Sequence, residues 1–282
     1  MPSPGLSLVG FMDEAAGMNH LRTACVPPDS ADDAVRAIWK SAQASCSATV
    51  RNPGLPEILD IPAGHLAYIV ALAQTPMVAQ AMQAYAQAAS FKLIEIDPLL
   101  AYQHTVDLDY STVHCKGLSK PPTIDELLPI CLPMSVPMPS ANITPGGQSV
   151  LVKTRALNLT TLAGGIFQEP NKPTIAGIAI GPTLPLVHVV RLNGRCYLHN
   201  GFHRAVGARL ASATHIPCLF RDVPNEAAAG IRQDGSTFSA ASLNSPNPPT
   251  VGHFSLCAEK VQLRARSRIL HLSWAEYIAY DE

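Results

Sequence analysis

Proline constrains this chain more than any other residue. There are 25 prolines in 282 residues, about 9% against a usual 5% or so. Each removes a backbone donor and fixes φ, so it ends helices and is confined to sheet edges. The chain must therefore be built from short elements joined by stiff connections. An apolar fraction of 47% still supplies a sizeable core, which excludes disorder across the whole chain. Charged residues are only 15%, against about 25% in an average domain. Ser, Thr, Asn, Gln and small residues must cover much of the surface. The length suits one large domain or two small ones.

The charges nearly cancel, with 20 Lys plus Arg against 21 Asp plus Glu. Proteins that hold duplex DNA through its phosphates carry a basic excess, so DNA binding is expected to be weak or absent. The longest apolar run, Leu66 to Ala73, is far short of the roughly 18 residues a membrane span needs. Met1 to Gly10 shows neither the basic n-region nor the apolar run of a signal peptide. Seven cysteines are scattered without a C-x-x-C pair. That fits reduced thiols and a cytoplasmic location.

Hydrophobic periodicity divides the chain. Residues 1–31 carry few periodic signals and read as an irregular arm. Val35, Ile38 and Trp39 mark a helix over Asp32 to Cys46. His65 to Gln74 reads as a second helix. Thr75-Pro76 then opens a third, with Val78, Ala81, Met82 and Tyr85 on one face. At Phe91 the period changes from helical to alternating. FKLIEI (91–96) reads as a strand stopped by Asp97-Pro98. Residues 129–149, with five prolines and a Gly-Gly, read as a long loop. Strands are expected over Ser149 to Leu157, Thr174 to Ile180 and Leu186 to Leu192. Asn193-Gly194 is a hairpin signal, and Arg195 to Leu198 is the return strand. Phe202 to Ala213 reads as a short helix and Ile216 to Phe220 as a strand. Residues 224–250 read as a loop, and RILHLSW (268–274) as a final strand.

The segment Leu186 to Val223 carries the chemistry. It reads as hairpin, glycine turn, helix, strand. Gly201 lies where strand becomes helix, with His203 and Arg204 in the helix's first turn. Glycine permits the tight turn and a close ligand approach. The first amides of a helix point outward, and with the dipole they form an anion site. An arginine there grips phosphate oxygens with a planar fork. A histidine beside it donates to an anion or moves a proton near neutral pH.

This segment resembles the ParB/sulfiredoxin superfamily. The pattern is a strand pair, then G-x-H-R opening a helix of small residues, then a short I-P strand. Here these are Asn200-Gly201-Phe202-His203-Arg204, Ala205 to Ala213, and His215-Ile216-Pro217-Cys218-Leu219-Phe220. FKLIEIDPLLAYQ (91–103) resembles the family's first strand and turn. The close match covers about 40 residues and the looser one perhaps 130, from 91 to 223.

The resemblance implies an α/β (α+β) fold. A ParB/sulfiredoxin-like domain would span 90–223, with an N-terminal helical segment over 1–89 and a C-terminal extension over 224–282. It implies binding of a nucleoside triphosphate, ATP or CTP with Mg²⁺, or of another phosphate ligand. Asn200, Gly201, Phe202, His203 and Arg204 would form the site, with His203 and Arg204 as catalytic residues. If Arg204 faces the pocket, its loss should leave folding nearly unaffected; if its loss unfolds the protein, it is a structural residue.

Phe202 stands where sulfiredoxins carry Cys, so peroxiredoxin repair is not expected. Relatives that phosphorylate free serine carry a Glu after the first strand's Pro turn, and Ala101 to His104 contains none. Asp107 and Asp109 are the nearest substitutes and the candidate Mg²⁺ ligands. No helix-turn-helix readers follow Val223, which argues against chromosome partitioning. Turnover at phosphoanhydride or phosphodiester bonds, as an NTPase, phosphotransferase or nuclease-like enzyme, therefore stands beside a non-catalytic partner-binding or regulatory role. A homodimer is compatible with either.

Three other features have plainer readings. His199 and His203, four apart, sit on a strand end and a helix start rather than one helix, which disfavours a metal pair. His114-Cys115 reads as a chance pair, since strand neighbours face opposite ways. Arg264, Arg266 and Arg268 read as one solvated face of a strand.

Duplex DNA is expected to bind weakly at most, independently of sequence and with strong salt sensitivity. A fluorescence-anisotropy titration that finds a specific nanomolar complex at physiological salt would overturn this.

Overall fold

The computed structural model describes residues 1–27, 29, 31–49, 54–84, 89–135, 140–146, 148–154, 159–167, 175–182, 185–229 and 237–273. It is a mixed α/β protein. The strands are β1 (Ser3–Ser7), β2 (Ile58–Asp60), β3 (Ala89–Glu95), β4 (Leu100–Ala101), β5 (Thr105–Asp107), β6 (Asn142–Gly146), β7 (Ser149–Thr154), β8 (Leu159–Phe167), β9 (Ile175–Pro182), β10 (His188–Leu192), β11 (Arg195–Asn200), β12 (His215–Asp222), β13 (Glu259–Leu263) and β14 (Arg268–Ser273). The helices are α1 (Glu14–Thr23), α2 (Asp32–Thr49), α3 (Leu66–Ala73), α4 (Pro76–Ala84), α5 (Leu108–Cys115), α6 (Ile124–Cys131), α7 (Phe202–Leu210), α8 (Glu226–Ala229), α9 (Ala240–Leu243) and α10 (His253–Leu256).

Two compact units emerge. The first joins Met1–Met134 to Leu186–Ala265, and the second joins Ser135–Pro185 to Arg266–Glu282. Neither 89/90 nor 223/224 is a boundary of these units. The second unit contains the antiparallel sheet β14-β7-β6 and the hairpin β8-β9.

The first unit is organised by a six-stranded sheet in the order β2-β3-β12-β10-β11-β4. Asn193 (φ 51°) and Gly194 (φ 76°) turn β10 back into antiparallel β11, as their dipeptide predicts. From β11 the chain enters α7, crosses over, and returns as β12, parallel to β10 on its other side. Strand β3 then pairs antiparallel with β12. Val189 and Val190 are both fully buried. Successive strand residues face opposite ways, so β10 is covered on both faces.

The N-terminal residues are not an irregular arm. β1 pairs with both β13 and β5 to form a second, three-stranded sheet. Asp13 caps α1 by accepting from the Ala16 N–H at 2.8 Å, and Gly17 lets the Trp39 ring of α2 approach. Trp39 Nε1 donates to the Met12 carbonyl at 3.2 Å. The expected 129–149 loop contains the end of α6 and all of β6, and the 224–250 loop contains α8 and α9. Tyr85 and Trp274 lie outside the described residues. The three alternating arginines do not share a strand. β13 ends at Leu263 and β14 begins at Arg268, while Arg264 Nε donates to the Cys25 carbonyl at 2.9 Å.

Within the central sheet, His188 is buried beside His199, ring centroids 4.8 Å apart. Its Nε2 accepts from Arg221 Nε at 2.9 Å, which places the ring proton on Nδ1. Burial, then His199, then Arg221 push its pKa down to about 2. The folded state therefore holds His188 neutral. Below the ordinary value near 6.5 the unfolded chain takes up a proton that the native state refuses, so stability falls as pH drops between about 6.5 and 2. Each pH unit well inside that window costs about 1.4 kcal/mol from this group. His188→Gln keeps an acceptor for Arg221 and removes the titration. Urea unfolding from neutral to mildly acidic pH should show a shallower loss of stability in that variant; parallel losses would remove His188 as the cause.

Candidate functional site

The β11–α7 turn rests on one left-handed residue. Gly201 has φ 95° and ψ 22°, a region costly for any residue with a Cβ. A Cβ there would lie 2.7 Å from Val187 Cγ2 and 3.0 Å from its Cα. Val187 cannot retreat. Its N–H donates to the Cys131 carbonyl at 2.7 Å, and its carbonyl accepts from the Leu219 N–H at 2.9 Å. Asn200 Oδ1 accepts from the Gly201 N–H at 2.8 Å. Gly201 is thus required by backbone shape and by the wall behind it.

The next three residues take different environments. Phe202 is 3% exposed and meets the Tyr102 ring edge-on at 5.5 Å. His203 is half-buried and meets Tyr110 of α5 edge-on at 4.9 Å. Arg204 turns inward and is 8% exposed. Its Nη1 donates to the Ile130 carbonyl at 3.3 Å. Burial lowers its pKa, with Cys131, Tyr110 and Cys115 as its electrostatic neighbours. The fork therefore lies under the surface, against α6, which is the structural branch of the sequence reading rather than the pocket-facing one.

Helix α5 completes the cluster. Gly207 brings α7 so close that a Cβ would lie 2.5 Å from Cys115 Sγ and 3.2 Å from the Ser111 carbonyl. Tyr110, half exposed, meets His114 edge-on at 4.5 Å, so its ring touches histidines of both helices. His114 has a lowered pKa, from burial first and the Arg204 charge second. Burial pushes the Cys115 thiol up to about 11 against the pull of Arg204. The arginine's field therefore reaches the ring cluster. His114 and Tyr110 are absent from the sequence-derived site because residues 114–115 read as strand. The missed signal is Asp107, whose Oδ1 accepts from the Tyr110 N–H at 3.1 Å. A helix capped there places positions 110 and 114 on one face.

Of the two expected metal ligands, Asp107 is engaged elsewhere and Asp109 points to no shared centre with it. Asp107 caps α5, and its Oδ2 accepts from Ser3 Oγ at 2.6 Å. Asp109 is exposed in the first turn of α5. Among the described residues no group of three or more His, Cys, Asp or Glu converges as a metal site. His199 faces His188 and His203 faces Tyr110, so these two histidines belong to different clusters. A cavity of about 400 Å³ lies at the opposite end of α7, lined by Leu93, Pro121, Ile124, Leu127, Thr214 and His215.

No known protein family, no characterised protein and no solved structure matches this chain.

Gly201→Ala should destabilise the fold by about 2–3 kcal/mol, combining left-handed strain with overpacking against Val187. Adding Val187→Ala removes the Cγ2 contact but not the strain. The double variant should therefore lose less than the sum of the two single losses. Denaturant unfolding reads this directly, and additivity would break the packing argument.

Proposed function

We propose that the chain binds a phosphate-bearing ligand at the β11–α7 turn. The ligand class is a nucleoside triphosphate, ATP or CTP, as the ParB/sulfiredoxin resemblance implies. The observation that carries the reading is the placement of Arg204. A permanent positive charge is buried beneath a cluster of hydrogen-bonding rings, at the first turn of a helix whose dipole has the same sign. Both favour an anion at the surface above them. His203 and Tyr110 would donate to phosphate oxygens. His114, held neutral, would donate without adding charge. Asn200 and Gly201 shape the turn, and Phe202 anchors it. Mg²⁺ would enter as the nucleotide's own counter-ion, because Asp107 is engaged as a helix cap.

Binding is favoured over turnover by the same geometry. Ala101 to His104 offers no carboxylate base, and Arg204 lies too deep for direct contact with a transferring phosphoryl group. Hydrolysis or transfer at a phosphoanhydride remains a second reading. It is supported by the half-exposed His203, which can exchange a proton with a bound phosphate.

Thermal stability should rise with ATP or CTP plus Mg²⁺, since a ligand at about 100 times its Kd adds roughly 2.7 kcal/mol. His203→Ala should weaken binding about tenfold without moving the ligand-free Tm, because its ring is half-exposed. Arg204→Ala should lower the ligand-free stability itself, as a buried hydrogen-bonded group. If neither nucleotides nor inorganic phosphate shift the Tm, or His203→Ala binds like wild type, the site assignment fails. Phosphate release slowed about 10²–10⁴-fold by His203→Ala would establish the second reading.

A further inference from the structure

Two cysteines distant in sequence meet where α2 and α10 end. Cys46 lies in the last turn of α2, and Cys257 is the residue that closes α10. Cys46 Sγ donates to the Cys257 carbonyl at 3.6 Å across 211 residues of chain, and the Cys46 thiol also hydrogen-bonds the Cys257 sulfur. Both partners are held in place. A Cβ on Gly10 would lie 2.8 Å from Cys46 Sγ and 2.4 Å from the Ala42 carbonyl, so close-packed backbone stands beside the sulfur. The Cys257 N–H donates to the His253 carbonyl at 3.0 Å, and the Gly252 N–H donates to the Asp97 carbonyl at 3.2 Å. Cys46 is 2% exposed and Cys257 is 7% exposed. Their neighbours Ser45, Ser47, Ser255 and Leu256 are all exposed, so the pair sits one layer beneath the surface.

The two thiols differ in readiness to react. The hydrogen bond from Cys46 lowers the pKa of Cys257 against its burial, and a second one from Thr49 adds to the effect. Cys46 moves the other way, raised by donating to Cys257 and by burial, with the Cys257 and Glu259 charges adding to it. Burial likewise pushes up the thiols of Cys115, Cys131, Cys196 and Cys218. The thiolate is the reactive form, and one poised next to a second thiol is the arrangement of attacking and resolving cysteines.

We propose that Cys257 and Cys46 form a reversible oxidation site, which reacts with a hydroperoxide and closes to a disulfide between α10 and α2. In the resting chain both sulfurs are thiols. Cys257 gives up its proton and its sulfur attacks a peroxide oxygen. The O–O bond breaks, Cys257 becomes a sulfenic acid, and the departing hydroxide takes the proton as water. The Cys46 sulfur then attacks the sulfenic sulfur. The S–S bond forms, the S–O bond breaks, and the hydroxyl leaves with the Cys46 proton as a second water. The two thiols lose two electrons and two protons, and hydrogen peroxide is reduced to two waters. A dithiol reductant reverses the bridge by exchange. The pair belongs to α2 and α10 rather than to α5 and α7, so its test is independent of the phosphate-site reading.

Peptide mapping of the full chain tests this. The protein is treated with equimolar hydrogen peroxide, remaining thiols are blocked with N-ethylmaleimide in urea, and the unreduced digest is read by mass spectrometry. The expected product is one peptide pair joined through Cys46 and Cys257, lighter by two hydrogens than the separate peptides and lost after dithiothreitol. Cys46→Ser should abolish the cross-link and leave Cys257 as a sulfenic acid that dimedone traps. Cys257→Ser should leave Cys46 a free thiol. The wild-type digest decides the matter even where a variant does not fold. Three results overturn the proposal: oxidation of the half-buried Cys115 while Cys46 and Cys257 stay free, a cross-link that joins either of the two to another cysteine, or Cys257 driven to sulfinic acid in wild type beside a free Cys46.

Discussion

The close approach of Val187 to Gly201 holds the first unit in register. Val187 joins three elements through backbone and side chain: its N–H reaches the end of α6, its carbonyl reaches β12, and its side chain closes on the turn before α7. A residue with a Cβ at 201 would push α7 away from that wall. The crossover from β11 to β12 would then lose its fixed starting direction. Because β10 is covered on both faces, no solvent-facing side exists to absorb such a shift. The left-handed backbone is tolerated because the surrounding hydrogen bonds leave the chain no other route.

The burial of Arg204 follows from the same geometry. Gly207, one turn further along α7, draws α5 against it until Cys115 and Ser111 fill the space where a side chain would stand. That contact seals the arginine between α5, α6 and α7. Lysine would not serve there equally well. A guanidinium is planar, more weakly hydrated than an ammonium, and keeps its proton when buried. Its desolvation is partly offset by the Ile130 carbonyl. The charge that burial cannot remove acts on the ring cluster above it, adding to burial in lowering the proton affinity of His114.

Local signals in the sequence account for much of this unit. Asn193-Gly194 specifies the hairpin, alternation at 91–96 specifies β3, and the small residues after Gly201 specify α7. What the sequence leaves obscure is long-range. Strand β1 has only five residues, SPGLS, with too little alternation to read. It exists because β5 and β13, about 100 and 250 residues away, supply its hydrogen bonds. At the candidate site the β11–α7 turn is legible in the sequence and the wall formed by α5 is not. His203 stands in the glycine turn that the sequence marks, whereas Tyr110 and His114 join it only because α5 packs on α7. Arg204 was legible as a residue of consequence, but its direction was not, because the first turn of a helix has both an outer and an inner face.

The fixing of both ends of α7 bears on the proposed phosphate binding. At the start, Gly201 is pinned by Val187. At the finish, Arg209 Nε donates to Asp97 Oδ1 at 2.6 Å, and the Ile96 N–H donates to the Thr214 carbonyl at 2.9 Å. The segment after β3 and the segment after α7 are thereby tied together. A helix held at both ends does not swing to meet a ligand, so little ordering cost is left to pay on binding. The half-exposed Tyr110 and half-buried His203 rings are then the outer part of the candidate site, resting on that frame. For the phosphate ligand proposed above, affinity should then depend on what those rings donate, with the buried Arg204 charge beneath them.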